Sequence, residues 1–222
     1  MRVSAPVSIL AGVLLGLAPV AADAQLSLLG DPIELSQTEG VLDKARVAIA
    51  PDGTTLVAWT LCNSSGVGRG CVITIFGRIF GPEGDPLTDQ FPVVEAVEDG
   101  SLLQEVAASA SGTFLVLWTR DSLHGQEFVA RGLDADGVPL GPEVVLRTPA
   151  RDQNLGLESE LPLSVAALPD RGDLVTWDFN SNRLSRIEAQ RLDADGALAG
   201  ERFRVNAESI GGYHSPDVTV SE

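Results

Sequence analysis

Acids spaced as oxygen ligands are the first chemistry this chain offers. The stretches GLDADGVPLG at 132–141 and RLDADGALAG at 191–200 share LDADG, setting Asp134 two residues before Asp136 and Asp193 two residues before Asp195. Alternate acids ahead of a glycine are how a calcium loop begins. That loop also needs a third acid in step and a later bidentate carboxylate. Here Val138, Pro139 and Leu140 follow the first copy, and Ala197, Leu198 and Ala199 the second. A tight hairpin turn explains both copies more simply: the Asp side chain caps the turn and Gly accepts a positive φ. Calcium at these four acids is disfavoured, and no cofactor is expected.

Other reactive types are sparse. His124 and His214 are the only histidines, and neither G-x-S-x-G nor H-E-x-x-H occurs. Carboxylate pairs suited to glycoside chemistry cannot be chosen without geometry, so no catalytic residue is assigned. Cys62 and Cys71, the two cysteines, flank NSSGVGRG between two apolar runs. Cross-strand partners near a hairpin tip lie at separations a disulfide spans, and a Cys62–Cys71 bridge is expected. Arg171-Gly172-Asp173 spells an adhesion tripeptide but falls where sister segments carry an ordinary turn. Asn63-Ser64-Ser65 is a glycosylation sequon, and GVGRG at 66–70 lacks the helix a phosphate cradle requires.

The elements that must position these groups repeat. Trp59, Trp118 and Trp177 recur at 59-residue intervals, each closing an apolar run: TTLVAW, TFLVLW and GDLVTW. Before each run come a glycine-containing turn and a short apolar segment (ARVAIA, EVAAS, LSVAAL). After it come a third segment (VITIFGRIF, EFVARGL, RIEAQRL), a turn (PEG, ADG, ADG) and a fourth (FPVVEA, EVVLRT, RFRVNA). Short β-branched and aromatic runs bounded by Gly, Asp and Pro read as strands, and no 3.6-residue period is sustained beyond the first residues.

The fold class is therefore all-β. Three four-stranded antiparallel units span about 41–96, 103–149 and 162–207, with single strands at 28–36 and 215–221. The architecture is propeller-like, an incomplete or open ring drawn from a longer chain. Identical placement of the three indoles favours packing between sheets over a sugar-stacking platform. The pattern resembles the tandem Trp-containing repeats of secreted bacterial proteins, and the resemblance implies a β-propeller without implying an activity.

Residues 1–24 have the form of a signal peptide. Arg2 precedes an apolar run from Val7 to Val20, and Ala22-Asp23-Ala24 offers a cleavage site. Residues 25–222 form the repeat domain, expected to be secreted or periplasmic and not inserted in a membrane after cleavage. Thirty-one acids against fifteen basic residues give a net charge of −16, which repels phosphate backbones and excludes nucleic acid as a partner.

In a meander of this kind, the tight turns gather at one end of the sheets and the long polar loops at the other. Loops on a rigid scaffold are where binding usually resides. Asn63, Arg120, Asp121, His124, Asp178, Asn180, Asn182 and His214 are the ligand-binding candidates. The reading is a binding module for an extracellular protein or glycan, with self-association as a way to close the ring. The alternatives are a propeller-type glycoside hydrolase or lyase using loop carboxylates, and a structural segment of a larger adhesin-like protein.

Overall fold

The computed structural model describes residues 35–36, 38–63, 72–97, 100–123, 125–148, 163–169, 172–181, 184–207 and 216–219. The chain divides into two units, Met1–Pro32 and Ile33–Glu222. The first contains the expected leader and lies wholly outside the described residues.

Within the second unit, β1 (Val41–Ile49), β2 (Thr55–Asn63), β3 (Val72–Phe80) and β4 (Phe91–Val97) form the first sheet. The middle sheet is β5 (Leu102–Ala108), β6 (Phe114–Ser122), β7 (Gly125–Leu133) and β8 (Val144–Arg147). The third is β9 (Leu163–Ala167), β10 (Asp173–Ser181), β11 (Leu184–Leu192) and β12 (Phe203–Arg204). Every pairing is antiparallel between consecutive strands. The expected meander is observed three times, and the first strands, β1, β5 and β9, are neighbours at the inner edge. This is the propeller-like arrangement.

The turns follow one recipe. In the β7–β8 connection, Gly137 N–H donates to Asp134 O at 3.0 Å and Asp134 N–H to Val138 O at 2.9 Å. Residues 193–197, 81–85, 50–54 and 109–113 repeat that pair of bonds. The recipe is a three-residue loop whose last residue is left-handed, and Gly137 has φ +79°. A side chain there would be strained, and its Cβ would lie 2.3 Å from the Phe91 ring of the neighbouring sheet.

Alternation along the central strands gives each sheet two apolar faces. Leu56 and Ala58 of β2 with Ile75 and Ile79 of β3 pack against Val116, Trp118 and Val129 of the middle sheet. From the opposite face of the middle sheet, Leu115, Leu117, Phe128 and Ala130 pack against Val175 and Trp177 of the third. All three indoles are buried, at 2, 0 and 0 % exposure. Each points away from the following sheet: Trp118 toward the first sheet, Trp177 toward the middle one with its ring 5.9 Å from that of Phe128. Trp59 takes the same place on the outer face of the first sheet, 6.1 Å from Phe76. Thr60 Oγ1 accepts from Leu103 N–H at 3.1 Å, stitching the first sheet to the second.

The terminal strands expected at 28–36 and 215–221 fall mostly outside the described residues. Residues 216–219 carry no strand ladder. Val218 N–H donates instead to the Ser164 hydroxyl at 3.1 Å, so this segment lies over β9 through a side-chain contact rather than a backbone ladder.

Candidate functional site

The β2–β3, β6–β7 and β10–β11 connections lie at one end of the sheets, opposite the tight turns, as their registers require. Of the eight candidate ligand residues, His124, Asn182 and His214 lie outside the described residues, and only the backbone of Asn180 is described, in β10. Asn63 ends β2 and is exposed. Asp121 is exposed near the tip of β6, against Gly100, where an added Cβ would meet its Oδ2 at 2.5 Å.

Arg120 is committed to the scaffold. Its guanidinium pairs with Glu127 at 3.0 Å and with Glu143, and Arg131 reaches the same Glu143 at 3.8 Å. Burial alone would lower the Arg120 pKa. Hydrogen bonds and charge from Glu143 and Glu127 outweigh it and hold the group above its ordinary value. The network braces the base of the β6–β7 hairpin. At the hairpin tip, Ser122 Oγ donates to Gly125 O at 2.7 Å and Leu123 is fully exposed. Sequence reasoning passed over Leu123; its signal was an apolar residue inside the polar run TRDSLHGQ.

Asp178 does not join this face. It is 3 % exposed in β10, paired with Ile187 on the face opposite Trp177, and its charge is felt by Arg147 in a charged cluster at the boundary of the middle and third sheets. There Arg147 is 2 % exposed with its guanidinium 5.2 Å over the Phe128 ring. Burial lowers the Arg147 pKa, and the charges of Glu188 and Asp178 offset part of that. Glu188, 5 % exposed, is paired with Arg186 at 2.7 Å and Arg202 at 3.5 Å. It occupies the position beside the tryptophan that Phe76 and Val129 fill in the other sheets. Burial withdraws the Asp178 carboxylate from the loop face.

A second polar row runs along the inner strands. Arg46 Nε lies 3.6 Å from Glu105 Oε2 and donates to Gln104 O at 2.8 Å. Ser164 Oγ donates to Asp217 Oδ1 at 3.1 Å. These four residues hold one repeat position, visible when RVAIA, EVAAS, SVAAL and DVTVS are aligned. That alignment was the signal available in the sequence.

The first acid of each LDADG acts as a turn cap. Asp134 Oδ1 accepts from Asp136 N–H at 3.0 Å and Val138 N–H at 2.8 Å, and Asp193 repeats both bonds at 3.1 and 2.9 Å. Among the described residues no three His, Cys, Asp or Glu side chains gather as a metal set would. Asp134→Ala is expected to lower stability by about 1 kcal/mol, the usual worth of such a cap, and equally in calcium and in chelator. Urea denaturation in both buffers checks it; a loss seen only in calcium would make the loop a metal site.

Two sequence signals are placed by burial. Asp173 is 6 % exposed at the start of β10, so the Arg171-Gly172-Asp173 tripeptide does not present its carboxylate. Cys62 is not a free thiol, and Cys71, its expected partner, lies outside the described residues.

No protein-family model matches the chain, and no curated protein does. Among solved structures it is similar to one from work on the GH130 family of mannoside phosphorylases, described as containing glycoside hydrolases that target β-1,2 mannosidic linkages in Candida mannan. Identity there is 12 % over 70 % of this chain and 50 % of that one, with a TM-score of 0.35. It is also similar to a glycoside hydrolase, so described, from Parabacteroides distasonis (12 % identity, 72 % and 53 % coverage, TM-score 0.37) and to a glycosyl hydrolase from Bacteroides ovatus (10 %, 70 % and 50 %, 0.33). The chain spans about half the length of these structures.

Proposed function

We propose that this chain is an exported recognition module that binds an extracellular protein through the loop end of its sheets. The observation that carries the reading is the β6–β7 hairpin. An exposed carboxylate, Asp121, and a fully exposed Leu123 stand on a strand pair braced by Arg120, Glu127 and Glu143. An apolar side chain beside a charged one, on rigid backbone, suits a protein surface, where a desolvated centre sits within a polar rim. A glycan is less well served, because the indoles that could stack on a sugar ring are buried between sheets. The acids Glu127, Glu143 and Glu188 are neutralised by arginines, which supports a scaffold role for them.

Affinity capture from the producing cell's surface and medium, followed by titration of the purified captured protein, tests this reading. The double variant D121A/L123S is expected to bind about tenfold or more weakly than the parent. Its melting temperature should be unchanged, because both side chains are exposed. Equal affinity in the two proteins would remove this face.

A further inference from the structure

The chain carries fifteen basic residues against thirty-one acids, yet four of its arginines gather at one corner. Arg147 of β8 belongs to the middle sheet, and its buried guanidinium lies over the Phe128 ring. Across the boundary, the third sheet supplies Arg186, 2.7 Å from the Glu188 carboxylate, and Arg202, 3.5 Å from the same group. Arg204 of β12 is the register partner of Glu188 and so shares its side of the sheet. The charges of Glu188 and Asp178 favour the Arg147 cation, and those of Arg202 and Arg186 oppose it. Four arginines set against these two acids leave an excess of two positive charges. Of the two acids, Glu188 stands on the arginines' side of the sheet, while Asp178 acts from the face opposite Trp177.

We propose that Arg147, Arg186, Arg202 and Arg204 bind one tetrahedral oxyanion, a phosphate or sulfate group, free or esterified on a small molecule. Charge and shape both select it. Two negative charges cancel the excess and set an attraction against the repulsion among the arginines. The guanidinium groups come from two sheets, and a tetrahedral group offers acceptor oxygens in more than one plane, where a carboxylate has two in a single plane. Arg202 and Arg204 are exposed, so the anion enters from solvent. Arg147 lies beneath them, where charges are screened least. Glu188 is a positioning residue: it holds Arg186 and Arg202 together before the anion arrives. The chain's net charge of −16 opposes a long polyanion. It acts weakly on a single group, because charges more than about 8 Å away are largely screened at ~0.15 M ionic strength. The site draws on none of the residues assigned to recognition, and it stands apart from that reading.

Isothermal titration of the full chain with inorganic sulfate, inorganic phosphate, glucose 6-phosphate and acetate, at fixed pH and ionic strength, tests the proposal. Melting shifts serve less well, because sulfate and phosphate also stabilise proteins by exclusion from their surfaces. The expected result is saturable binding of one sulfate or phosphate with a Kd of about 1 mM or tighter, and of acetate about tenfold more weakly or worse. Glucose 6-phosphate binding more tightly than inorganic phosphate supports the site as one for an esterified group; the reverse order supports it as one for the free ion. R202Q/R204Q replaces two exposed side chains and should weaken sulfate binding about tenfold or more, with the circular dichroism of the parent. R204Q alone serves as the second variant should the double substitution prevent folding, and is expected to weaken binding in the same direction. The proposal is overturned if neither inorganic anion binds saturably up to about 10 mM, if acetate binds as tightly as sulfate, or if R204Q binds sulfate like the parent.

Discussion

Trp118→Ala is expected to lower the unfolding free energy by about 3–5 kcal/mol, the range for removing a buried ring and leaving a cavity. That is a large share of the ~5–15 kcal/mol a domain has in total. The ring is fully buried at the contact of the first and middle sheets, in one apolar cluster with Leu56, Ala58, Ile75, Val106 and Val129. Neither sheet can close over the gap without shifting strands that are already in register. Trp59→Ala should cost less, because its outer face borders an open cavity and not a packed sheet. Trp118→Phe sharpens the test. Among the described residues the buried indole Nε1 has no hydrogen-bond partner, so losing it recovers part of what the smaller ring gives up. Urea denaturation followed by far-ultraviolet circular dichroism should rank the losses as Trp118→Ala, then Trp59→Ala, then Trp118→Phe. Equal losses for the two alanine variants would mean that the three indoles do not sit at a graded series of interfaces.

Much of this frame was legible because it rests on local chemistry. Strand order, the turns at 50–54, 109–113, 134–138 and 193–197, and the burial of three indoles follow from period-two apolar runs and from where glycine must take a positive φ. What could not be read depends on what stands opposite a residue. Val47 and Ile49 belong to a segment whose composition marks an interior strand, yet they are exposed, and no sheet covers that face among the described residues. Asp178 looks like loop chemistry in DFNSNRLS but is buried within β10, where its charge reaches Arg147 of the middle sheet. Arg120 reads as a free cation until Glu127 and Glu143 arrive from the paired strand and the turn beyond it. The bulges at Lys44, with φ +39°, and between Leu103 and Glu105 lie one position off the 59-residue repeat, and no residue type announces them.

Asp173 supplies the other large effect, and its sign depends on pH. It opens β10 at the position held by Thr55 in the first sheet and by Phe114 in the middle one. It is 6 % exposed, and among the described residues nothing hydrogen-bonds its Oδ1. Burial pushes its pKa from 3.8 up to about 7. Between those values the native state holds a proton that the unfolded chain has released, so stability falls as pH rises from about 4 to about 7 and then levels off. A shift of that size corresponds to a loss on the order of 4 kcal/mol, an upper figure because water and side chains relax around a buried charge. Asp173→Asn removes the titration while keeping the shape. It is expected to match the parent at pH 4 and to exceed it by about 2–4 kcal/mol at pH 8. Taking the difference between the two proteins cancels the pH dependence of every other group. Asp173→Leu should reach the same plateau or pass it, since a core position that holds Phe114 in the preceding repeat accepts an apolar side chain. Denaturation curves for the three proteins across pH 4–8 would settle the matter. A parent and Asn variant that stay parallel over that range would place the carboxyl in contact with water, and the boundary between the middle and third sheets would then be open at that corner.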